Sequence, residues 1–417
     1  MKNLRMQQEM TDRGRLEIRV NTRIQARPVS GARVTVSYTG DPQNVIEELI
    51  TDGDGRTETL DLATPPLEYS LEPNVNQPYS EYTVKVEAEG YEPVEVTGSE
   101  LLSGEQSVQQ VDLKLAEGAA FADVTIPDHT LFGEYPAKIP ESEIKPTRES
   151  GEIVLSRVVI PEYIIVHDGA PTDSTARDYY VRYRDYIKNV ACSEIYATWP
   201  DAAIRANILA IMSFTLNRVY TEWYRGKGYD FTITSSTAYD HKWIYGRNIF
   251  DSISLVVDEI FADYLSRPNV KQPILTQYCD GNRVSCPNWM SQWGSKNLAD
   301  QGYSTIQILR NYYGDNMYIN TAEEISGIPS SWPGYDLTIG SSGNKVLQMQ
   351  EQLNVIAEVY SSIPTVYENG YFDEETQDAV EAFQRLFGLP VSGIVDYQTW
   401  YKIQSIYVAV TRIAELQ

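Results

Sequence analysis

Glu194, in Tyr183–Ala197 (YRDYIKNVACSEIYA), is the residue whose type and position promise chemistry. Ile187, Val190 and Glu194 are spaced i, i+3 and i+7, one face of a 3.6-residue period, so the acid lies in line with core residues. Desolvation there disfavours the carboxylate and raises its pKa, as a general acid working near neutrality requires. A protonated glutamate beside a glycosidic oxygen can give its proton to the leaving group. The opposite reading is that the helix has already ended and Glu194 faces solvent. Asp168, Asp201 and Asp240 are the candidate partner acids, and each reads first as a structural residue. His241, Cys279 and Cys286 are metal-ligand types, but two thiols and one imidazole scattered over this span do not make a zinc spacing. They read as buried thiols and a satisfied histidine, so no metal and no cofactor is assigned.

The elements that must hold Glu194 are two helices, about 178 to 196 and 200 to 224. Between them, Thr198-Trp199-Pro200-Asp201 offers Thr198 as N-cap and a proline in the first turn. The stripe Ile204, Ile208, Ile211, Met212, Leu216 and Val219 then requires the second helix to pack inward. A β-rich middle and a helix near 294 to 312 follow. Upstream, residues 16 to 116 alternate apolar and polar side chains in RLEIRV, ARVTVSY, EYTVKVEAEGYEPVEV and QSVQQVDLKL, with turn chemistry such as Asp52-Gly53-Asp54-Gly55 between strands. This predicts a small β-sandwich, preceded by a disordered leader at 1 to 15. Residues 117 to 160 mix prolines with scattered charges and no sustained period, a connector open to proteases. SGIPSSWPGYD, 326 to 336, reads as a second linker, and three short amphipathic helices fill 337 to 417.

The formal net charge of −24 argues against nucleic acid or an anionic membrane as partner. No apolar run reaches the roughly 18 residues of a membrane span. Three cysteines allow at most one disulfide. Thirty tyrosines and seven tryptophans suit sugar faces, and serve equally as ordinary core and surface aromatics. MKNLRMQQEMTDRGRLEI lacks the apolar core of an ordinary secretory signal.

Four stretches carry family resemblances. PVSGARVTV, TDGDGRTETLDL and YTVKVEAEGYEP resemble the carboxypeptidase regulatory-like, or transthyretin-like, sandwich, a module without chemistry of its own. RDYIKNVACSEIYATWPDAAIRANILAIMSFTLNRVY with CPNWMSQWGSKNLADQGYSTIQILRNYY resembles the SpoIID-type domain of sporulation lytic transglycosylases and amidase activators, over roughly 160 to 315. That resemblance implies that Glu194 is the catalytic residue, that Ser291 and Gln292 of Met290-Ser291-Gln292-Trp293-Gly294 line the cleft, and that Tyr245-Gly246 is the family's Tyr-Gly strand motif. The chain departs from the family in two places. Ser285-Cys286-Pro287-Asn288-Trp289 replaces a Gly-His-Gly run, and Lys242 stands beside His241 where zinc-binding members carry a cysteine. From Leu337 onward, LTIGSSGNKVLQMQEQLN and GYFDEETQDAVEAFQRLFGLPVSGIVDYQTWYKI resemble the three-helix peptidoglycan-binding domain. Gly343, Leu353, Gly370, Phe372, Gln384, Gly393 and Trp400 are at that pattern's positions.

The expected architecture is therefore multidomain α+β: a transthyretin-like β-sandwich at 16–116, a connector with an activation cleavage site at 117–160, a mixed α/β SpoIID-like catalytic domain at 161–320, and a peptidoglycan-binding domain at 337–417. This order resembles the clostridial spore cortex-lytic enzymes. The resemblance implies a zymogen made in the mother cell and stored in the spore, cut between Glu149 and Glu162 by a subtilisin-like germination protease. It implies cleavage of the MurNAc to GlcNAc β-1,4 bonds of cortex peptidoglycan. The alternative expectation is a non-enzymatic wall-binding activator of a peptidoglycan amidase.

Overall fold

Strict alternation in LEIRV, RVTVSY and YTVKVE yields strands that bury alternate side chains, with Leu16, Ile18, Val34, Val36, Val84 and Val86 fully inaccessible. The computed structural model describes residues 11–22, 27–73, 75–116, 121–145, 157–322, 324–326 and 333–411. Its first part comprises β1 (Asp12–Thr22), β2 (Arg33–Tyr38), β3 (Asp41–Ile50), β4 (Leu60–Thr64), β5 (Ser80–Glu87), β6 (Val94–Leu101), β7 (Gln106–Leu113) and β8 (Ala122–Thr125). One sheet runs β4-β1-β7 and the other β3-β2-β5-β6-β8, around a shared apolar core. Residues 1–10 of the expected leader lie outside the described residues, whereas Asp12–Arg15 are not disordered: they begin β1, paired with β4.

The central part comprises β9 (Val159–Ile160), β10 (Tyr163–His167), β11 (Asp178–Arg182), α1 (Tyr183–Glu194), α2 (Asp201–Tyr220), β12 (Ile233–Thr234), β13 (Ile249–Phe250), α3 (Asp251–Ile260), β14 (Asp263–Ser266), β15 (Tyr278–Cys279), β16 (Met290–Ser291), α4 (Gln292–Asp300), α5 (Thr305–Tyr313), β17 (Tyr318–Thr321) and β18 (Glu324–Ile325). α2 is buried on every side and forms the centre of this unit.

Several expectations are corrected here. The stretch from 178 begins as a strand, because Asp178–Arg182 pairs antiparallel with Tyr163–His167 before the helix starts at Tyr183. The segment near 294 to 312 is two helices, broken where Gly302 turns left-handed (φ +86°) and Ser304 with Gln307 closes a capping box. The middle expected to be β-rich holds α3. Thr198 is not the N-cap of α2; Pro200 takes that position, and the Thr198 hydroxyl bonds to Ser70 Oγ at 2.8 Å.

α6 (Asn344–Ala357), α7 (Glu374–Leu386) and α8 (Tyr397–Thr411) complete eight α-helices among the described residues. Two buried glutamines organise their turns in the same way. Gln350 accepts from the backbone of Asn369 and Gly370 and donates to Thr376; Gln384 accepts from Ser392 and Gly393 and donates to Thr399. α8 packs on α3, with Arg184 donating to Tyr401 O at 2.9 Å and Asp258 gathering Lys188, Arg184 and Lys402.

The β unit docks on the central unit through consecutive residues of one segment. Gln109 donates to Gly246 O at 2.9 Å, and Gly246, at φ +75°, leaves no room for a Cβ against Val124. Arg247 forms a bidentate pair with Glu100 at 2.8 and 2.6 Å, both side chains fully buried. Asn248 exchanges bonds with the Glu100 backbone at 3.0 and 2.7 Å, and β13 then adds an antiparallel edge to β7. The connector is not an open tether either. Its described residues 121–145 lie docked along both units, with His129 and Lys145 buried, while 149–156 of the expected cut window lie outside the described residues.

Candidate active site

Glu194 is the last residue of α1 and, like Ile187 and Val190, is buried. The solvent-facing reading fails because the chain does not leave the core there. Ile195 turns extended, Tyr196 meets Trp293 edge-to-face and Trp199 packs tilted against it, and the Trp199 indole donates to Ser70 O at 3.0 Å. The carboxyl therefore sits between the end of α1, the Lys242 backbone and the start of α4. Its Oε1 accepts from the Lys242 backbone N–H at 2.7 Å. Its Oε2 lies 3.4 Å from Gln292 Nε2, which donates more strongly, at 2.9 Å, to the Glu194 carbonyl. Burial pushes the carboxyl above the usual range; the Lys138 ammonium, the Tyr278 hydroxyl, and the N–H and charge of Lys242 oppose this without cancelling it. The result is a buried acid with a raised affinity for its proton, fixed by hydrogen bonds on both oxygens.

The segment Met290 to Gly294 explains itself residue by residue. Met290 fills the core, and Ser291 caps α4 by accepting from Gly294 N at 2.8 Å. Gln292 reaches Glu194, and Trp293 lies 5.0 Å from the Trp199 ring. A Cβ at Gly294 would stand 2.1 Å from the Tyr312 hydroxyl and 2.9 Å from Ser291 Cβ, so a side chain there forces one of them to move. The structure thus brings Gln292 to the carboxyl and uses Ser291 as a helix cap. Tyr245, part-exposed, stacks on Tyr179 at 5.0 Å and meets Trp243 at 6.3 Å.

The other candidates have structural uses. Asp240 is buried, salt-bridged to Arg218 at 2.7 Å and hydrogen-bonded by Tyr224 and Thr234. Asp201 is exposed and pairs with Arg205 along α2, and Asp168 accepts from Ser235 at 2.8 Å. Cys279 and Cys286 form a disulfide that closes the loop between β15 and β16, so neither thiol is available to a metal. His241 is fully buried, receives or gives a bond to Tyr186 Oη at 3.1 Å, and stacks on Phe214 and Tyr278. Burial, with Lys138 and Arg218 nearby, holds it neutral. Sequence reasoning missed three contributors: Lys138, Tyr278 and the Lys242 backbone. The last is a main-chain donor, which no side-chain pattern can announce, and Lys138 lies far away in a stretch read as connector.

With that geometry in place, comparison with known proteins adds the following. A family model described as "Putative peptidoglycan binding domain" matches residues 342–403, so α6 to α8 form a helical domain of the peptidoglycan-binding kind. No curated protein matches the chain. Among solved structures, the SleB N-terminal domain is 27% identical, with 18% of this chain and 99% of that chain covered and a TM-score of 0.17. GBS52, the minor pilin of Streptococcus agalactiae, is 12% identical, covering 28% of this chain and 49% of that one at a TM-score of 0.18. A mutant Acinetobacter radioresistens catechol 1,2 dioxygenase is 15% identical, covering 27% and 57% at a TM-score of 0.18. The chain thus spans about half the length of the pilin and the dioxygenase, and none of these superpositions extends over the whole chain.

Proposed function

We propose that this chain is the precursor of a spore cortex-lytic enzyme of the SleC type, a lytic transglycosylase that degrades cortex peptidoglycan during germination. The observation that carries the proposal is Glu194: a buried carboxyl of raised pKa, held by the Lys242 N–H and beside Gln292, in a chain that also carries a peptidoglycan-binding domain. The protonated Glu194 gives its proton to the oxygen bridging MurNAc and GlcNAc. As a carboxylate it then takes the proton from the muramyl C6 hydroxyl, whose oxygen attacks C1 and closes a 1,6-anhydro ring. Ordinary glycosidases need a second carboxylate for the incoming nucleophile. Here the nucleophile belongs to the substrate, which agrees with Asp168, Asp201 and Asp240 all being engaged elsewhere. Tyr245 and Ser291 are proposed to contact glycan along the same cleft.

In this reading the β unit and connector are a pro-region, removed by a subtilisin-like germination protease cutting between Glu149 and Glu162 in the spore. A second reading, a wall-binding activator of an amidase, is favoured by one feature, the loop Cys286–Trp289, which departs from the family's Gly-His-Gly run directly before Met290-Ser291-Gln292. The test is loss of turbidity of a purified cortex suspension by the processed protein and by Glu194→Gln. Lysis by the first and not the second supports the enzyme; equal lysis by both refutes the role of Glu194.

A further inference from the structure

The connector meets the site in a way that its composition does not suggest. Thr130 donates through both N–H and hydroxyl to Ser193 O, at 3.2 and 3.0 Å, one residue before Glu194. His129 stacks on Tyr196 at 4.5 Å, with its Nε2 3.3 Å from Ile195 O. Arg283 donates to the carbonyls of Thr130, Phe132 and Gly133. Further along the connector, Ile139 N bonds Ala238 O at 2.7 Å, Glu141 N bonds the Gln277 side chain at 2.9 Å, and Leu275 N bonds Glu143 O at 3.1 Å. Arg218 and Arg267 each clamp a connector carboxylate, Glu141 and Glu143, with two bonds. Residues 128–145 therefore cross the Glu194 region, held at one end by Ser193, Ile195 and Arg283 and at the other by Ala238, Gln277, Arg218 and Arg267.

Between these anchors Lys138 turns inward. Its ammonium donates to Asp240 O and lies 4.9 and 5.1 Å from the ring centres of the buried Phe214 and Tyr278. Its positive charge also favours the ionised form of the Glu194 carboxyl. An ammonium drawn in among buried aromatic rings needs compensation, here a carbonyl and two π-faces.

We infer that residues 128–145 are a tethered plug over the Glu194 carboxyl, with Lys138, seated on the Asp240 carbonyl and the Tyr278 ring, in the path a glycan must take to reach it. The inference rests on the proposed role of Glu194 and extends it to regulation. Its consequence concerns activation. All of these contacts lie upstream of the expected cut, so proteolysis breaks none of them. The cut turns an intramolecular plug into a separable inhibitor, and activity appears only as strap and β unit leave together.

The test uses the full chain with a sequence-specific protease site placed within residues 147–153, cut or uncut, as wild type and Lys138→Met, with Lys138→Gln as the alternative if the methionine variant does not fold. Association of the two fragments is followed by sedimentation, and muropeptide release in parallel. The cut wild type should stay associated and silent at micromolar concentration and become active on dilution. The Lys138 variant should dissociate at concentrations about tenfold higher or more, as expected for the loss of a charge-assisted hydrogen bond and two cation–π contacts, with activity following the free fraction. A cut wild type that is active while still associated overturns the plug, as does a Lys138 variant with unchanged association. If no protein releases muropeptides but Lys138→Met still weakens association, the plug stands and the transglycosylase reading falls.

Discussion

Replacing Glu100 by glutamine tests how the β unit is held. The Arg247 guanidinium is inaccessible, donates to both Glu100 oxygens at 2.8 and 2.6 Å, and also donates to Cys192 O. The substitution keeps the shape of the partner but leaves a buried cation without its anion, at a cost of about 3–5 kcal/mol. That cost exists only while the β unit covers Arg247, so it weakens docking by about a hundred- to several-thousand-fold rather than destabilising either core. In urea denaturation followed by tryptophan fluorescence, the first transition should move down by roughly 1–2.5 M, given slopes of about 2–3 kcal/mol/M, while the later transition stays. Trp199 reports the docking contact directly, because its indole bonds Ser70 of the β unit. The double variant Glu100→Met with Arg247→Met should recover most of the loss, since no charge is then left buried. A Glu100→Gln protein within about 1 kcal/mol of wild type, or a double variant no better than the single one, would refute the argument.

Three further outcomes follow from the same structure. Glu81 has its pKa raised to about 7 by burial, Glu100 and Asp128, so its contribution to stability is complete below pH 4.5 and is lost as pH rises toward and through 7; Glu81→Gln should therefore stabilise the protein by about 2–3 kcal/mol at pH 8 and by nothing at pH 4.5, read from thermal unfolding at both values. Gly294→Ala puts a methyl 2.1 Å from the Tyr312 hydroxyl and should cost about 1–3 kcal/mol, with a loss of lytic rate because Ser291 and Gln292 move with the start of α4; an unchanged melting temperature and rate would show that α4 has slack there. Replacing Cys279 and Cys286 by serine opens a loop with a sequence separation of 7 and should cost about 2–3 kcal/mol, measured as a lower midpoint in urea.

How much of this was legible depended on where each signal resides. The strands that alternate, β1, β2, β5 and β7, were readable, because half-burial imposes a period of two on the sequence. β3 was not: Asp41–Ile50 is exposed at every position but Leu49, so its polar residues carry no such record. α3 hid in a short stretch bounded by Phe250 and Phe261, where an apolar run is as consistent with strand as with helix. The burial of Glu194 was legible from three residues of spacing, and Gln292 from the resemblance that quoted it. Tyr278 and Lys138 approach Glu194 from residues 84 ahead of it and 56 behind it in the sequence, and no local period encodes such a meeting. The cysteines were compatible with one disulfide or none, and only the folded loop between β15 and β16 joins Cys279 to Cys286.

The most direct test of the central claim is mass spectrometry of the glycan ends that the processed protein releases from purified cortex, run beside Glu194→Gln. The account predicts 1,6-anhydro-muramyl ends that disappear in the variant. Reducing ends, or anhydro ends that persist when residue 194 is glutamine, would contradict it.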